Sequence, residues 1–321
     1  MKKQFTYYFL LFHLLCTDAI FAQSLGLNWL FKPGMRFTTS FITKQNVQDT
    51  INFGAIHFNT SLIIPVKGKA ELNLGELNLR GSQTFFTVNA GTRFLQTELL
   101  GFQKLTHNFS FGVTHLEASM KNGVWFYTVN MGVVESPETF NNISPFFIGA
   151  AAKIVMRDFY NHNIYGVGIT YNYDRFIPFP LFGINRQLTD NWKLSMILPA
   201  YAELIYSKDE DFQFAIRTDF STFRTGIIPP NERALTPAQA REKASLQYRD
   251  VRLAGSVRYS PSSRVRFLGQ VGIATFRSLR TFQGAELMRS LVPPIAPFIN
   301  VAIHINFGNA PLGSQIFGNE F

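Results

Sequence analysis

Hydrophobic and polar residues alternate with a period of two along much of the chain, most regularly over residues 298–307. Successive side chains of a β-strand point to opposite faces, so this alternation predicts a strand with one apolar face. About ten residues are enough for a tilted strand to cross the hydrocarbon core of a bilayer. The odd-numbered residues of this segment are apolar, and we predict that this face of the strand, which we call its apolar parity, faces lipid. They are Ile299, Val301, Ile303, Ile305 and Phe307.

The same alternation recurs in five more segments, so we expect an all-β fold. These segments cover residues 124–133, 164–173, 212–220, 251–259 and 264–274. We predict an antiparallel, up-and-down transmembrane β-barrel over residues 23–307, with about 12 strands within a range of roughly 10 to 14. A soluble β-sandwich has the same period and is the alternative that the pattern leaves open.

The N-terminal half of the barrel alternates less regularly. The strands predicted there cover residues 35–43, 51–62, 70–79, 84–94 and 105–116. The apolar parity changes near Gly75 and Glu76. A change of parity inside one strand indicates a β-bulge, so we expect one there.

Connection lengths predict which end of the barrel faces the periplasm. Membrane barrels keep short turns on the periplasmic side, so the tight connection at 260–263 is expected there. The long connections 221–245 and 283–297 would then be extracellular. Within the first of them, Thr236 begins a capping sequence with proline at the next position, which predicts a short helix over 238–245.

The first 22 residues have the pattern of a cleaved secretory signal. Lys2 and Lys3 precede an apolar stretch over residues 5–15, and Ala22 is a small residue before the expected cut at Gln23. We therefore expect export to the outer membrane of a Gram-negative cell. The expected partners there are outer-membrane lipids and the barrel-assembly machinery.

Composition agrees with a membrane barrel. Charged residues make up only 16% of the chain, whereas soluble domains carry about a quarter. After the signal, no stretch approaches the roughly 18 apolar residues that a membrane-spanning helix needs. The only cysteine, Cys16, lies in the signal, so no disulfide is expected in the exported chain.

The chain is basic, with a formal net charge of +9. Such a charge can mark a nucleic-acid-binding protein, but export argues against a nucleic-acid partner. Val257 lies on the apolar face of its predicted strand, which we expect to face lipid. Several arginines nearby lie on the opposite face. The arginines on this opposite face are Arg217, Arg252, Arg258, Arg264 and Arg266.

Rings of basic side chains in a pore favour anions, so these five arginines predict a basic patch in the lumen. Two alternatives stay open. The arginines neutralise acids such as Asp219, or they lie at the rims of the barrel beside lipid phosphates.

No motif for catalysis or metal binding stands out. The histidines lack the spacing of metal ligands. His107 and Ser110 are residue types that some outer-membrane lipid hydrolases use, but residues three apart in a strand point to opposite faces. We therefore predict that the protein is not an enzyme and that it uses no metal and no cofactor.

Several loosely spaced motifs resemble an uncharacterised family of Gram-negative outer-membrane β-barrels, known only as a domain of unknown function. These motifs are Tyr171-Asn172-Tyr173, residues 183–192, Leu198-Pro199 with Leu204-Ile205-Tyr206, and the final hairpins. The resemblance implies a barrel in the outer membrane, without a substrate or site residues. Many barrels end on the last phenylalanine of the last strand, whereas here a tail over 308–321 follows Phe307.

Two classes of function follow from this interpretation. The first is a passive channel or transporter for small solutes, with an anion preference set by the basic patch. The second is a non-conducting barrel with a structural, adhesive or secretion-accessory role. An outer-membrane lipid hydrolase is a third alternative, which rests only on His107 and Ser110.

Overall fold

The computed structural model describes residues 33–48, 51–73, 78–97, 105–119, 123–135, 144–157, 161–172, 175–209, 211–226, 244–283 and 286–307. Fifteen strands form one antiparallel sheet. They are β1 (Gly34–Gln48), β2 (Ile51–Asn73), β3 (Asn78–Thr97), β4 (Leu105–Ser119), β5 (Gly123–Glu135), β6 (Ser144–Met156), β7 (His162–Asn172), β8 (Arg175–Gln187), β9 (Trp192–Leu198), β10 (Tyr201–Ser207), β11 (Phe212–Gly226), β12 (Ala244–Ser262), β13 (Val265–Gln283), β14 (Glu286–Leu291) and β15 (Ala296–Asn306). No helix within these ranges is long and apolar enough to span a membrane.

Fourteen of the strands close into a ring. Strands β1 to β13 pair in chain order, β15 pairs with β13, and β1 closes the ring against β15. Among the described residues β14 pairs only with β13, so it stays outside the ring. The barrel is therefore confirmed, but the prediction of about 12 strands is too low by two. Connections of two residues, such as 173–174 and 263–264, leave chain length for the additional strands.

The two ends of the barrel differ in their connections. Gly34 of β1 pairs with Asn306 of β15 at one end, which we call the terminus end. The tight turn at 263–264, next to the connection predicted at 260–263, also lies there. That this end faces the periplasm stays a prediction. The strand ends joined by the three longest connections, 98–104, 136–143 and 227–243, lie at the opposite end, which we call the loop end.

Three predictions near connections are wrong. The predicted strand 70–79 spans the end of β2 at Asn73 and the start of β3 at Asn78, and the bulge predicted near Gly75 and Glu76 lies outside the described residues. The predicted helix 238–245 overlaps β12, which begins at Ala244, and its other residues lie outside the described ranges. Finally, β14 occupies part of the predicted connection 283–297.

The outer surface carries an apolar band with an aromatic border. Val257, Ile299, Val301, Ile303 and Phe307 are exposed on it, and Ile305 is half-buried. At the terminus end, aromatic side chains pair along the outside, including Trp125 with Tyr127, Trp192 with Tyr206, and Phe212 with Tyr259. Such a border is typical of the level where a membrane barrel meets lipid headgroups. Contact of these residues with lipid stays a prediction.

A charge placed in the apolar band tests that prediction. Val257→Arg or Ile303→Arg should cost about 2–4 kcal/mol, because an arginine near the middle of a bilayer loses its hydration. The amount of heat-modifiable barrel in the outer-membrane fraction measures the effect. Leu188→Arg is the matched control, since Leu188 is an exposed apolar residue in the turn between β8 and β9, at the terminus end. Equal losses in all three variants would contradict a membrane-embedded band.

Near the loop end, parts of β11 and β12 fold into the lumen, and β12 stays paired with β13 there, from Ala244–Gln283 to Arg249–Ser278. We call residues 220–226 of β11 and 244–250 of β12 the inner hairpin; they pair with each other throughout. Cα atoms of β11 lie within 8 Å of Cα atoms of β5, on the far side of the ring. Both faces of the hairpin are buried, with Phe223 and Tyr248 on the inward parity and Thr222 and Gln247 on the outward parity.

The sequence explains why this hairpin does not lie against lipid. The outward-facing residues of β11 are apolar up to Ile216, but the corresponding positions of the inner hairpin are polar. These positions are Thr222, Arg224, Ser245, Gln247 and Arg249. A bulge marks the bend: the register of β12 against β13 slips between Arg249 and Val251. Phe276 in the facing part of β13 has a φ of 46°, which bulky residues rarely adopt. A bulge increases twist and redirects a strand.

Candidate functional site: a basic cavity below a closed lumen

Aromatic contacts across the barrel close the loop half of the lumen. The ring of Tyr248 lies 4.8 Å from that of Phe53 on β2 and 5.4 Å from that of Phe223, measured between centroids. The guanidinium of Arg93 on β3 lies 3.9 Å from the Phe223 ring centroid. The inner hairpin is therefore packed against the opposite wall.

A buried polar network fixes Tyr248 in this position. Arg277 on β13 is 2% exposed, and its Nε donates a hydrogen bond to the Tyr248 hydroxyl over 2.8 Å. The same guanidinium donates to the Pro294 carbonyl over 2.7 Å. The Tyr248 hydroxyl in turn donates to Asp250 over 3.1 Å, and Asp250 lies 3.3 Å from Arg252. This chain of partners connects the hairpin to the basic residues below it.

A cavity of about 180 Å³ lies in the terminus half of the lumen. Residues of β1, β7–β13 and β15 line it. Its charged lining consists of Arg36, Lys193, Arg217, Arg252, Arg258 and Arg266, with Glu203 and Asp219 as the acids. Six basic and two acidic side chains give the lining a formal excess of +4 when histidines are neutral.

Part of this charge is neutralised locally. Glu203 is 4% exposed, hydrogen-bonds to Arg258, and lies 3.7 Å from Arg217. Arg217 also contacts Asp219 at 2.6 Å. Arg217, Arg252 and Arg258 therefore form ion pairs with acids, which is one of the alternatives considered for the predicted arginines. The formal excess of the lining remains because the basic residues outnumber the acids.

Neutral donors complete the cavity lining. The Asn300 amide donates to Gln270 over 2.5 Å, and the hydroxyls of Ser195 and Tyr201 lie 3.2 Å apart. The Arg217 guanidinium lies 4.6 Å from the Tyr201 ring centroid, so the ring supports its plane. Fixed guanidinium groups beside amides and hydroxyls are well suited to binding carboxylates or phosphates.

The structure gathers four of the five arginines predicted for the lumen around this cavity. The exception is Arg264, which lies exposed in the turn between β12 and β13, where its carbonyl accepts a hydrogen bond from the Asn306 N–H. Sequence reasoning missed Arg36, Lys193 and Glu203. Arg36 lies on the inward face of β1 together with Thr38 and Ser40. This run of polar residues on alternate positions could have identified Arg36 as a lumen residue.

The wall opposite the basic cavity carries apolar side chains on the inside, mixed with uncharged polar ones such as Gln83 and Thr114. Its buried side chains belong mainly to β2–β8 and include Ile63, Phe85, Leu116, Phe126 and Ile154. These side chains fill part of the interior. A ring of 14 strands can enclose an aqueous channel, but only where side chains and loops leave the interior open.

The residue pair considered for catalysis is split between two faces. His107 is exposed outside β4, where its ring lies 3.0 Å from the Thr92 hydroxyl, and Ser110 is buried inside. The Ser110 hydroxyl accepts a hydrogen bond from Asn89 over 3.1 Å. Within the described ranges, no group of three histidine, cysteine or acidic residues could hold a metal ion.

No family model and no curated protein matches the chain. Among solved structures, it is similar to the β domain of the Bordetella autotransporter BrkA, with a TM-score of 0.29 and 6% identity over 86% of this chain and 100% of that one. It is also similar to a ΔS2 mutant of the TodX monoaromatic hydrocarbon channel, with a TM-score of 0.31 and 7% identity over 87% of this chain and 90% of that one. Similarity at this level does not indicate a shared function.

Proposed function

We propose that the protein is an outer-membrane β-barrel channel that selects small anionic solutes and is closed in this conformation by the inner hairpin. The observation that carries the proposal is the formal excess of +4 on the cavity lining. A lumen with low-dielectric walls focuses such a field and raises the local concentration of anions. No catalytic step, metal or cofactor is part of the proposal.

The two kinds of basic residue have different roles in this proposal. Glu203 and Asp219 hold Arg217 and Arg258 in place, so their ion pairs orient the guanidinium groups. Lys193 and Arg266 add charge beyond these pairs, and the Arg266 Nε donates to the Ser260 hydroxyl over 3.2 Å. Reversing the charge of Lys193 and Arg266 therefore changes the field, while the ion pairs of Glu203 with Arg217 and Arg258 and of Asp219 with Arg217 stay in place.

The double variant Lys193→Glu/Arg266→Glu should move ion selectivity from anions towards cations. The formal charge of the lining falls by four and reaches zero, because each substitution replaces a positive charge with a negative one. Reversal potentials across a planar bilayer in a salt gradient measure the change, with each variant made in the Phe223→Ala/Tyr248→Ala background, in which the hairpin no longer closes the lumen. Arg264→Glu is the control, since it reverses a charge in an exposed turn. An unchanged reversal potential in the double variant would overturn the proposal.

A non-conducting structural barrel is the second candidate, and the inner hairpin favours it. The hairpin fills the loop half of the lumen with buried side chains, which is the property expected of a barrel without a channel. Absence of conductance in the native chain and in variants that loosen the hairpin would support this role.

A further inference from the structure

An uncharged polar surface lies on the inward faces of β2–β5. It consists of Asn59, Ser61, Asn89, Asn108, Ser110 and Asn130, which we call the amide surface. The alternate positions of these strands, such as Phe58, Phe109 and Met131, are exposed on the outside, so the six polar residues face the lumen. Their side chains end in amides and hydroxyls, which form hydrogen bonds without adding charge.

Directly paired residues connect the amide surface to the basic cavity. Arg36 on β1 lines the cavity and pairs with Ser61 on β2. Ser61 pairs with Asn89 on β3, which pairs with Ser110 on β4. The β-carbons of directly paired residues on one face of an antiparallel sheet lie about 4.5–5.5 Å apart. The guanidinium groups and the amide surface therefore belong to one continuous lining.

Two groups of the amide surface are available to a solute. Ser61 is 5% exposed, and among the described side chains its hydroxyl has no hydrogen-bond partner. The buried side-chain oxygen of Asn130 on β5 also has none within the described ranges. Leaving a buried polar group without a partner is costly, so such groups mark places where a bound molecule completes the hydrogen bonds.

Gly91 allows two of the asparagines to converge. It lies on the inward face of β3 and pairs with Asn59 on β2 and with Asn108 on β4. A β-carbon at position 91 would overlap the side-chain oxygen of Asn108 and lie 2.9 Å from that of Asn59. Both amides therefore lie over this glycine, side by side, and a larger residue there would displace them.

The lining offers two kinds of recognition within one lumen. Guanidinium groups bind carboxylates through parallel hydrogen bonds. Amides and hydroxyls both donate and accept, which matches the hydroxyl groups of a solute, since these also donate and accept. An anion without hydroxyls would leave the amide surface unused. A solute that fits both parts of the lining carries an anionic group and several hydroxyls.

Resting on the proposed anion selectivity, we propose that the solutes are polyhydroxylated carboxylates of the sugar-acid type and that the amide surface binds their hydroxyls. The carboxylate binds at the guanidinium groups of the cavity, beside Arg36. The hydroxyls hydrogen-bond to Ser61, Asn89 and Asn108. The basic residues then set the charge that the lumen accepts, and the amide surface sets the preference among anions.

Binding of glucuronate to the purified full-length chain in detergent, measured by isothermal titration calorimetry, tests the amide surface. Hexanoate is the matched ligand, because it has a carboxylate and a carbon chain of the same length without hydroxyls. The native chain should bind glucuronate about tenfold or more tightly than hexanoate, since a site built to hydrogen-bond hydroxyls rejects an analogue that lacks them.

The double variant Asn89→Leu/Asn108→Leu should lose this preference, because leucine has nearly the shape of asparagine but cannot form hydrogen bonds. Its affinity for hexanoate should stay native. Thr114→Val/Thr128→Val is the matched control and should keep the preference, since these two hydroxyls lie on the same wall but hydrogen-bond to each other over 3.0 Å. If the asparagine variant loses the heat-modifiable gel form, Ser61→Ala takes its place, because it removes a single hydroxyl and should lower the same preference.

The outcomes separate the amide surface from the channel. A preference for glucuronate that falls to near parity in Asn89→Leu/Asn108→Leu and persists in the threonine variant supports the site. Equal affinity for the two carboxylates, binding of neither, or an unchanged preference in the asparagine variant overturns it. Reversal potentials that remain anion-selective then leave the proposed function standing, whereas unselective ones overturn the proposed function as well.

Discussion

Replacing Phe223 and Tyr248 together with alanine should open the loop half of the lumen and raise single-channel conductance from little or none to that of a wide pore. The two rings make the contacts that hold the inner hairpin against Phe53 and Arg93 on the opposite wall. Removing a buried aromatic side chain costs about 3–5 kcal/mol, most of it here at the contact between hairpin and wall. The backbone hydrogen bonds between neighbouring strands of the ring do not depend on these side chains, so the barrel should stay folded.

Conductance in planar bilayers, with heat-modifiability as a check on folding, measures this effect. Phe85→Ala/Phe126→Ala is the matched control, because it removes two buried rings from the apolar wall and leaves the hairpin contacts intact. Conductance that rises equally in both double variants would mean that the hairpin is not the closing element. Conductance that stays absent in the folded Phe223/Tyr248 variant would favour the structural role.

Removing the carboxylate of Glu203 should destabilise the barrel by about 3–5 kcal/mol, because it leaves buried guanidinium groups without their counter-charge. Glu203 contacts Arg258 and lies 3.7 Å from Arg217, with only 4% of the residue exposed. Glu203→Gln keeps the shape of the side chain and removes its charge. The midpoint of urea unfolding, followed by tryptophan fluorescence in detergent, measures the loss. Asp219→Asn is the control and should cost less, since the Asp219 side chain is 17% exposed.

A second-site change tests whether charge is the cause. Glu203→Gln/Arg258→Met removes both members of the pair and should recover much of the lost stability, because apolar replacement of a buried ion pair is often neutral. The same variant should remain selective for anions, since Lys193 and Arg266 are unchanged. No recovery would indicate that Glu203 acts through packing.

Strands with an exposed apolar outer face and an inner face toward the lumen were predictable from the sequence. In β15, the side chains of Ile299, Val301 and Ile303 point outward because one parity is apolar along the whole segment. The residues of β11, β12 and β13 follow the same rule as far as the bulge. The period of two fixes the faces of a strand whenever the two surroundings differ in polarity.

The inner hairpin was not predictable from the same rule. Its outward parity carries Thr222, Arg224 and Gln247, and polar residues there are equally typical of an extracellular loop. The prediction of a long connection over 221–245 follows from that ambiguity. Burial of Thr222 and Gln247 depends on a bend at Phe276, and a bulge of one residue leaves no regular pattern in the sequence.

The cavity was predictable in part. Arg217, Arg252, Arg258 and Arg266 are on neighbouring strands, so a shared parity placed them together. Arg36 and Lys193 come from β1 and β9, which reach the cavity only because the ring closes and β9 is short. The excess charge therefore depends on tertiary structure that local periodicity does not contain.

The seam between the first and last strands determines how such a chain is made. Only nine residue pairs join β1 to β15, from Gly34–Asn306 to Ile42–Phe298, and they are separated by almost the whole chain. Closing so long a loop is entropically costly and slow, so this seam should be the last ladder to form. A chain that ends before Phe298 would present the edges of β1 and β13 to lipid, which cannot hydrogen-bond them. We therefore expect the chain to insert into a membrane only when the last strand is present to close the ring.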